Sequence, residues 1–168
     1  MPQTAYVKIT GAKQGDITKD ANTEKSIGSK AQPKFSGSIP VYEFQEITTV
    51  PVDPQSGQPS GTRKHDSVKI TSELTKASPL LWQALSTGES LTIEMTFQRV
   101  DAKGSTEDFY VIKWEAATLV GMDTHYPNTL DKTLNYLPYL ETLSFTFRKV
   151  TWEHKAAGTS ASDDWSAS

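Results

Sequence analysis

Apolar and polar residues alternate at every step across 91–98, Leu-Thr-Ile-Glu-Met-Thr-Phe-Gln. A period of two predicts a strand with one packed face and one wet face. A second strand is expected over 109–120, with Ile112, Trp114, Ala116 and Val120 on one side and Lys113 and Glu115 on the other. Over 139–152, Leu143, Phe145 and Phe147 share one phase while Val150 and Trp152 fall in the other. A β-bulge near Arg148 and Lys149 is expected to absorb that change. Stretches rich in β-branched and aromatic residues predict further strands at 5–10, 39–50 and 67–74.

One helix interrupts the strands. Ser78 is the expected N-cap, Pro79 suits the first turn, and Leu80-Leu81-Trp82-Gln83-Ala84-Leu85 runs on to a stop at Gly88. About ten residues make a marginal helix alone, so Leu81, Trp82 and Leu85 are expected to dock on the sheets. Segments 11–38 and 51–63 have loop composition. The second joins two strands, yet exceeds an ordinary hairpin loop of about 2–5 residues, a length that points to function. The tail, 155–168, is small and polar apart from Trp165 and reads as mobile. The pattern is mainly β: one domain over 1–155 and a polar C-terminal tail over 156–168.

Composition narrows the classes. The 168 residues suit a single core, and 36% hydrophobic residues, 22% charged residues and a net charge of −3 describe a globular chain. No segment concentrates Lys and Arg, which argues against nucleic acid as a partner. Without cysteine there is no thiol nucleophile, disulfide or thiolate metal site. The N-terminal stretch lacks the basic start and apolar core of a signal peptide, and no run approaches the roughly 18 apolar residues of a membrane span. Synthesis in the cytoplasm without membrane insertion is the expectation, with any export using another route.

Catalytic constellations are scarce. Ser60 lies in Gly57-Gln58-Pro59-Ser60-Gly61, which lacks the spacing and the strand-to-helix setting of a nucleophile elbow. His65, His125 and His154 are scattered; Asp123 with His125 supplies two metal ligands without a third. Glu153 and His154 are strand neighbours that point to opposite faces, and Asp163-Asp164 reads as solvated tail. No catalytic, metal or cofactor site is expected. The polar face Thr92, Glu94, Thr96 and Gln98 suits either bulk solvent or the wall of a wet pore formed by assembly, and periodicity leaves both open.

The run Ser56-Gly57-Gln58-Pro59-Ser60-Gly61-Thr62-Arg63-Lys64-His65, then Val68-Lys69-Ile70-Thr71 and Leu74-Thr75-Lys76-Ala77-Ser78-Pro79-Leu80-Leu81-Trp82-Gln83-Ala84-Leu85, resembles the hemolysin-coregulated protein (Hcp) family of type VI secretion systems. The resemblance extends to the opening Tyr6-Val7-Lys8-Ile9-Thr10-Gly11 with Gln14-Gly15-Asp16-Ile17, and to the closing Phe145-Thr146-Phe147-Arg148-Lys149-Val150-Thr151-Trp152-Glu153-His154. It also takes in Ala157-Gly158-Thr159-Ser160 and Asp163-Asp164-Trp165.

This resemblance implies a compact antiparallel β-barrel of two packed sheets with one short helix, similar to phage tail-tube proteins. It implies a homo-hexameric ring that stacks into tubes inside a contractile sheath, with a spike protein at the tip and effector proteins in the lumen. Secretion from the bacterial cytoplasm would need no signal peptide. Some relatives carry a C-terminal toxin domain; here the chain stops soon after Trp165, so toxicity would rest with cargo. Carried over by position, Pro54, Gln55, Ser56, Gly57, Gln58, Pro59, Ser60, Gly61 and His65 fall in a ring-stacking loop. Glu43 and Gln45, expected opposite Tyr42 and Phe44, are the lumen and cargo candidates. The alternatives are a secreted effector with its own hydrolytic activity and a phage-type tail-tube subunit.

Overall fold

A computed structural model describes residues 3–165. Its strands are β1 (Ala5–Gly11), β2 (Gly15–Asp16), β3 (Ile39–Val41), β4 (Glu43–Gln45), β5 (Thr48–Thr49), β6 (Lys64–His65) and β7 (Val68–Glu73). After the helix Ser78–Thr87 come β8 (Leu91–Val100), β9 (Thr106–His125), β10 (Leu140–Thr146), β11 (Lys149–His154) and β12 (Thr159–Asp164). Every pairing is antiparallel, in the order β1-β8-β9-β10-β7-β4. The expected mainly β architecture with one short helix is the observed one.

Long β9 holds the two sheets together. Its first half pairs with β8 and β11, its second half with β10. The turn between them falls at Ala116, whose φ of 50° is left-handed, and an extra residue enters where Leu91↔Ala117 follows Ile93↔Trp114. Such a bulge bends the strand and shifts its alternation by one. Trp114 is fully buried as expected, but Ala117 and Leu119 take the inner positions and Val120 points outward. The inward placement of Ala116 and Val120 is thereby corrected.

The same corner takes the place of the bulge expected near Arg148 and Lys149. Strand β10 runs along the far half of β9 and β11 continues along its near half in one register, from Thr146↔Thr118 to Lys149↔Glu115. Phe147 stays buried at the crossing while the Arg148 N–H donates to the Glu115 carbonyl, 3.2 Å. The single strand expected over 39–50 is three short pieces, because it changes partner twice, from β1 to β7 and then to β6. Val41 pairs with Ala5 on β1, then Tyr42 donates its N–H to the Thr71 carbonyl and Glu43 pairs with Thr71 on β7. The β3–β4 segment therefore joins the two ends of the sheet path and closes the barrel.

Inside the barrel, Trp114 meets Phe145 edge-on at 5.1 Å, packed with Val7, Ile70, Ile93 and Leu143. The helix buries Leu81 and Ala84, whereas Trp82 docks only in part and stays 40% exposed. Ser78 is the first helical residue rather than the cap. Its hydroxyl accepts the Thr75 N–H at 3.0 Å and donates to the buried Glu141 carboxylate at 2.7 Å. Gly88 ends the helix with φ 68°, where other residues would be strained. Among the described residues no helix is long and apolar enough to cross a membrane.

Candidate functional site

The segment between β4 and β7 leaves the barrel as an arm. Thr48 pairs with His65 and Thr49 with Lys64; further out, Val52 bridges Pro59. The tip is tied by Asp53 N–H to the Gln58 carbonyl, 2.8 Å, and Gly57 N–H to the Asp53 carbonyl, 2.9 Å. Gly57 has φ 71°, which permits that turn without strain. What reads as a loop in sequence is thus an irregular hairpin. Every residue from 47 to 62 is exposed, Pro54, Gln55, Ser56, Gly57, Gln58, Pro59, Ser60 and Gly61 among them.

His65 is different. It is buried at the base, where its Nε2 lies 2.7 Å from Oδ2 of Asp163 and its Nδ1 lies 2.8 Å from the Thr48 hydroxyl. Arg63 donates through Nε and Nη2 to the two Asp163 oxygens, 2.6 Å each, and through Nη2 to the Asp164 carbonyl, 2.9 Å. This fork geometry is the strong form of an ion pair. The Arg63 hydrogen bonds, then that of His65, hold the Asp163 carboxyl down at about 2. The Trp165 indole packs edge-on against His65 at 5.3 Å.

The tail that reads as mobile is therefore a strand through Asp164, paired along β11 and fastened to the arm. Residues 166–168 lie outside the described residues. On the other side of the base, Glu46 accepts the Trp152 indole N–H at 2.9 Å. Its second oxygen and the Trp114 indole nitrogen lie in the same buried environment, and burial pushes the Glu46 carboxyl up. Nothing local in the sequence marks Arg63, Glu46 or Asp163 as anchors; Trp165 alone stands out against its polar surroundings.

Glu43 and Gln45 are exposed on β4, opposite Thr71 and Lys69, with Phe44 packed against the core between them. Tyr42 does not share the inner face with Phe44. It is exposed and donates its hydroxyl to Glu73 at 2.9 Å. A β-bulge between Phe97 and Gln98 turns Gln98 inward, out of the expected polar row. Its side-chain amide donates to Asp108 at 2.7 Å. His154 uses Nδ1 to accept the Ala157 N–H, 3.0 Å, in the turn before β12. Asp123 and His125 stay exposed, and no group of three metal-ligating side chains forms among the described residues.

The same barrel occurs in a crystal structure of an Hcp protein, 42% identical over 98% of both chains with a TM-score of 0.93. A secreted Hcp protein from Pseudomonas aeruginosa matches with a TM-score of 0.82 and 36% identity, over 98% of this chain and 99% of that one. Residues 6–154 match the family model described as type VI secretion system effector, Hcp. A curated relative, the major exported protein of Pseudomonas aeruginosa, is 43% identical over 98% of this chain and 96% of its own. Barrel and matches together define a secreted tube protein of the type VI secretion system. The chain belongs to the Hcp family.

Proposed function

We propose that copies of this chain form hexameric rings that stack into the inner tube of a type VI secretion machine. The tube is capped by a spike protein, enclosed by a contractile sheath and expelled on contraction, and it carries effector proteins in its lumen. The chain starts from the cytoplasm and leaves without a cleaved signal. Its role is structural, with Glu43 and Gln45 on the wall that cargo meets.

The observation that carries this reading is the arm. An isolated domain has no reason to order some fifteen residues away from its core, because each ordered residue costs about 1–2 kcal/mol of backbone entropy. Here the base is fastened by Asp163, Arg63 and His65 while the tip exposes Val50, Val52 and three prolines to solvent. Such a projection is stable and useful when a neighbouring copy covers it. Electron microscopy of the purified protein tests the reading. Rings with an open centre support it, and dispersed monomers that hydrolyse a substrate would instead favour a secreted enzyme.

A further inference from the structure

The barrel closes at Tyr42 and parts again beyond it. From Glu43 on, β4 follows β7, while β1 pairs with β8 no further than Ala5↔Phe97. Among the described residues no ladder joins β4 to β8, and a pocket of about 510 Å³ lies between them. Its wall is aromatic. Phe44, Phe97, Phe109, Tyr110 and Trp152 line it and are only half-buried, whereas Met95 and Trp114, further along β8 and β9, are enclosed. Phe97 meets Phe44 edge-on at 5.7 Å and 70°, and Tyr110 edge-on at 5.7 Å and 72°, so these rings do not stack into one another.

Charge selects the occupant. Glu46 is the one charged side chain among the described residues of that wall, and no Lys or Arg lines the pocket beside it. Aromatic faces carry negative charge density, so rings and carboxylate both attract a cation, more strongly where water is excluded. One of these rings already holds one: Arg99 lays its guanidinium 4.7 Å from the centre of Phe109 without lining the pocket. Acceptors for a guest's N–H groups are scarce. The Trp152 indole takes Oε1 of Glu46 at 2.9 Å, and the Thr48 hydroxyl is bonded to His65 at 2.8 Å. A bare ammonium brings three donors that would need partners, whereas an alkylated one offers the rings methyl groups.

We infer that the aromatic pocket between β4 and β8 binds a small alkylated ammonium cation, with Glu46 as its counter-charge. The pocket lies within one chain, so the inference stands apart from the assembly reading above.

Saturation-transfer difference NMR on the full chain tests it, with choline as the probe and neohexyl alcohol, its uncharged isostere, as the control. The method reads binding to monomer and ring alike. Choline is expected to give a saturable signal on its methyl protons, and the alcohol to bind about tenfold more weakly, as a desolvated cation–π contact requires. Glu46→Gln keeps an acceptor for the Trp152 indole and removes the charge, while Phe109→Leu keeps apolar bulk and removes a ring. Each should weaken choline binding about fivefold or more and narrow its advantage over the alcohol. The absence of a saturable choline signal, equal binding of choline and alcohol, or a folded variant that keeps the full preference would overturn the inference.

Discussion

The His65 imidazole is 2.7 Å from Asp163, its neighbour in space across 98 residues of chain. Through this contact, reinforced by the Arg63 fork onto the same carboxylate, the last strand sets where the arm begins. Arm and β12 thus form one unit, although they read as two loose segments.

Replacing Asp163 with Ala removes the carboxylate that Arg63 and His65 share, leaving Arg63 only the Asp164 carbonyl and the buried imidazole no carboxylate. Amide exchange at Thr48, Thr49, Lys64 and His65 is expected to accelerate by about tenfold or more, while the barrel strands keep their protection. Hydrogen exchange read by mass spectrometry checks this. Equal protection of the arm in both proteins would show that Asp163 does not hold it.

Acid should release the same anchor. The Asp163 carboxyl titrates at about 2 in the fold against 3.8 ordinarily, so its contribution is complete above 3.8 and is lost as pH falls through about 2. Trp165 lies on His65, and its fluorescence should stay constant down to pH 4 and change toward pH 2. The Asp163→Ala variant should lack that change.

Glu141 has the opposite sign. Its carboxyl is buried, and burial pushes it above its ordinary 4.5, so the folded state binds more protons and stability declines as pH rises past 4.5. Glu141→Gln keeps an acceptor for the Ser78 hydroxyl and should flatten that decline. Denaturant midpoints between pH 4 and 8 for both proteins provide the comparison; parallel slopes would assign the effect elsewhere.

What could be read from sequence follows from how local each cause is. The alternation at Leu91, Ile93 and Met95 reports packing directly, and all three are buried. Alternation fails at Tyr42, where the chain exchanges β1 for β7, and at the bend where Ala116 of β9 faces the Phe147–Arg148 junction of β10 and β11. A shift of one position then moves every later side chain to the other face, as Val120 shows. The arm is visible in the sequence as an overlong Pro- and Gly-containing segment. Its anchor is not, since the Arg63 and Asp163 partners lie 100 residues apart with no periodicity to connect them.

Deleting 55–61 removes the tip beyond Val52 but spares the base pairings and the Asp163 anchor. The shortened protein should fold with an unchanged circular dichroism spectrum and lose both tube formation and secretion. Normal secretion would mean that the arm does not join copies.

Gln45→Arg places a cation on the exposed face of β4 while Phe44 keeps its packing. Surface changes of this kind shift stability by about 0.5 kcal/mol or less. Rings should survive on size-exclusion chromatography while effector co-purification drops, since an unpaired charge buried against a partner costs about 2–5 kcal/mol. Loss of rings would place Gln45 in a subunit contact, and retention of every effector would remove it from the cargo wall.

Sedimentation velocity at micromolar concentration tests ring assembly most directly. A dominant species of six chain masses is expected, with each contact burying at least the roughly 1,000 Å² of a specific interface. A single monomeric boundary across that range would contradict it.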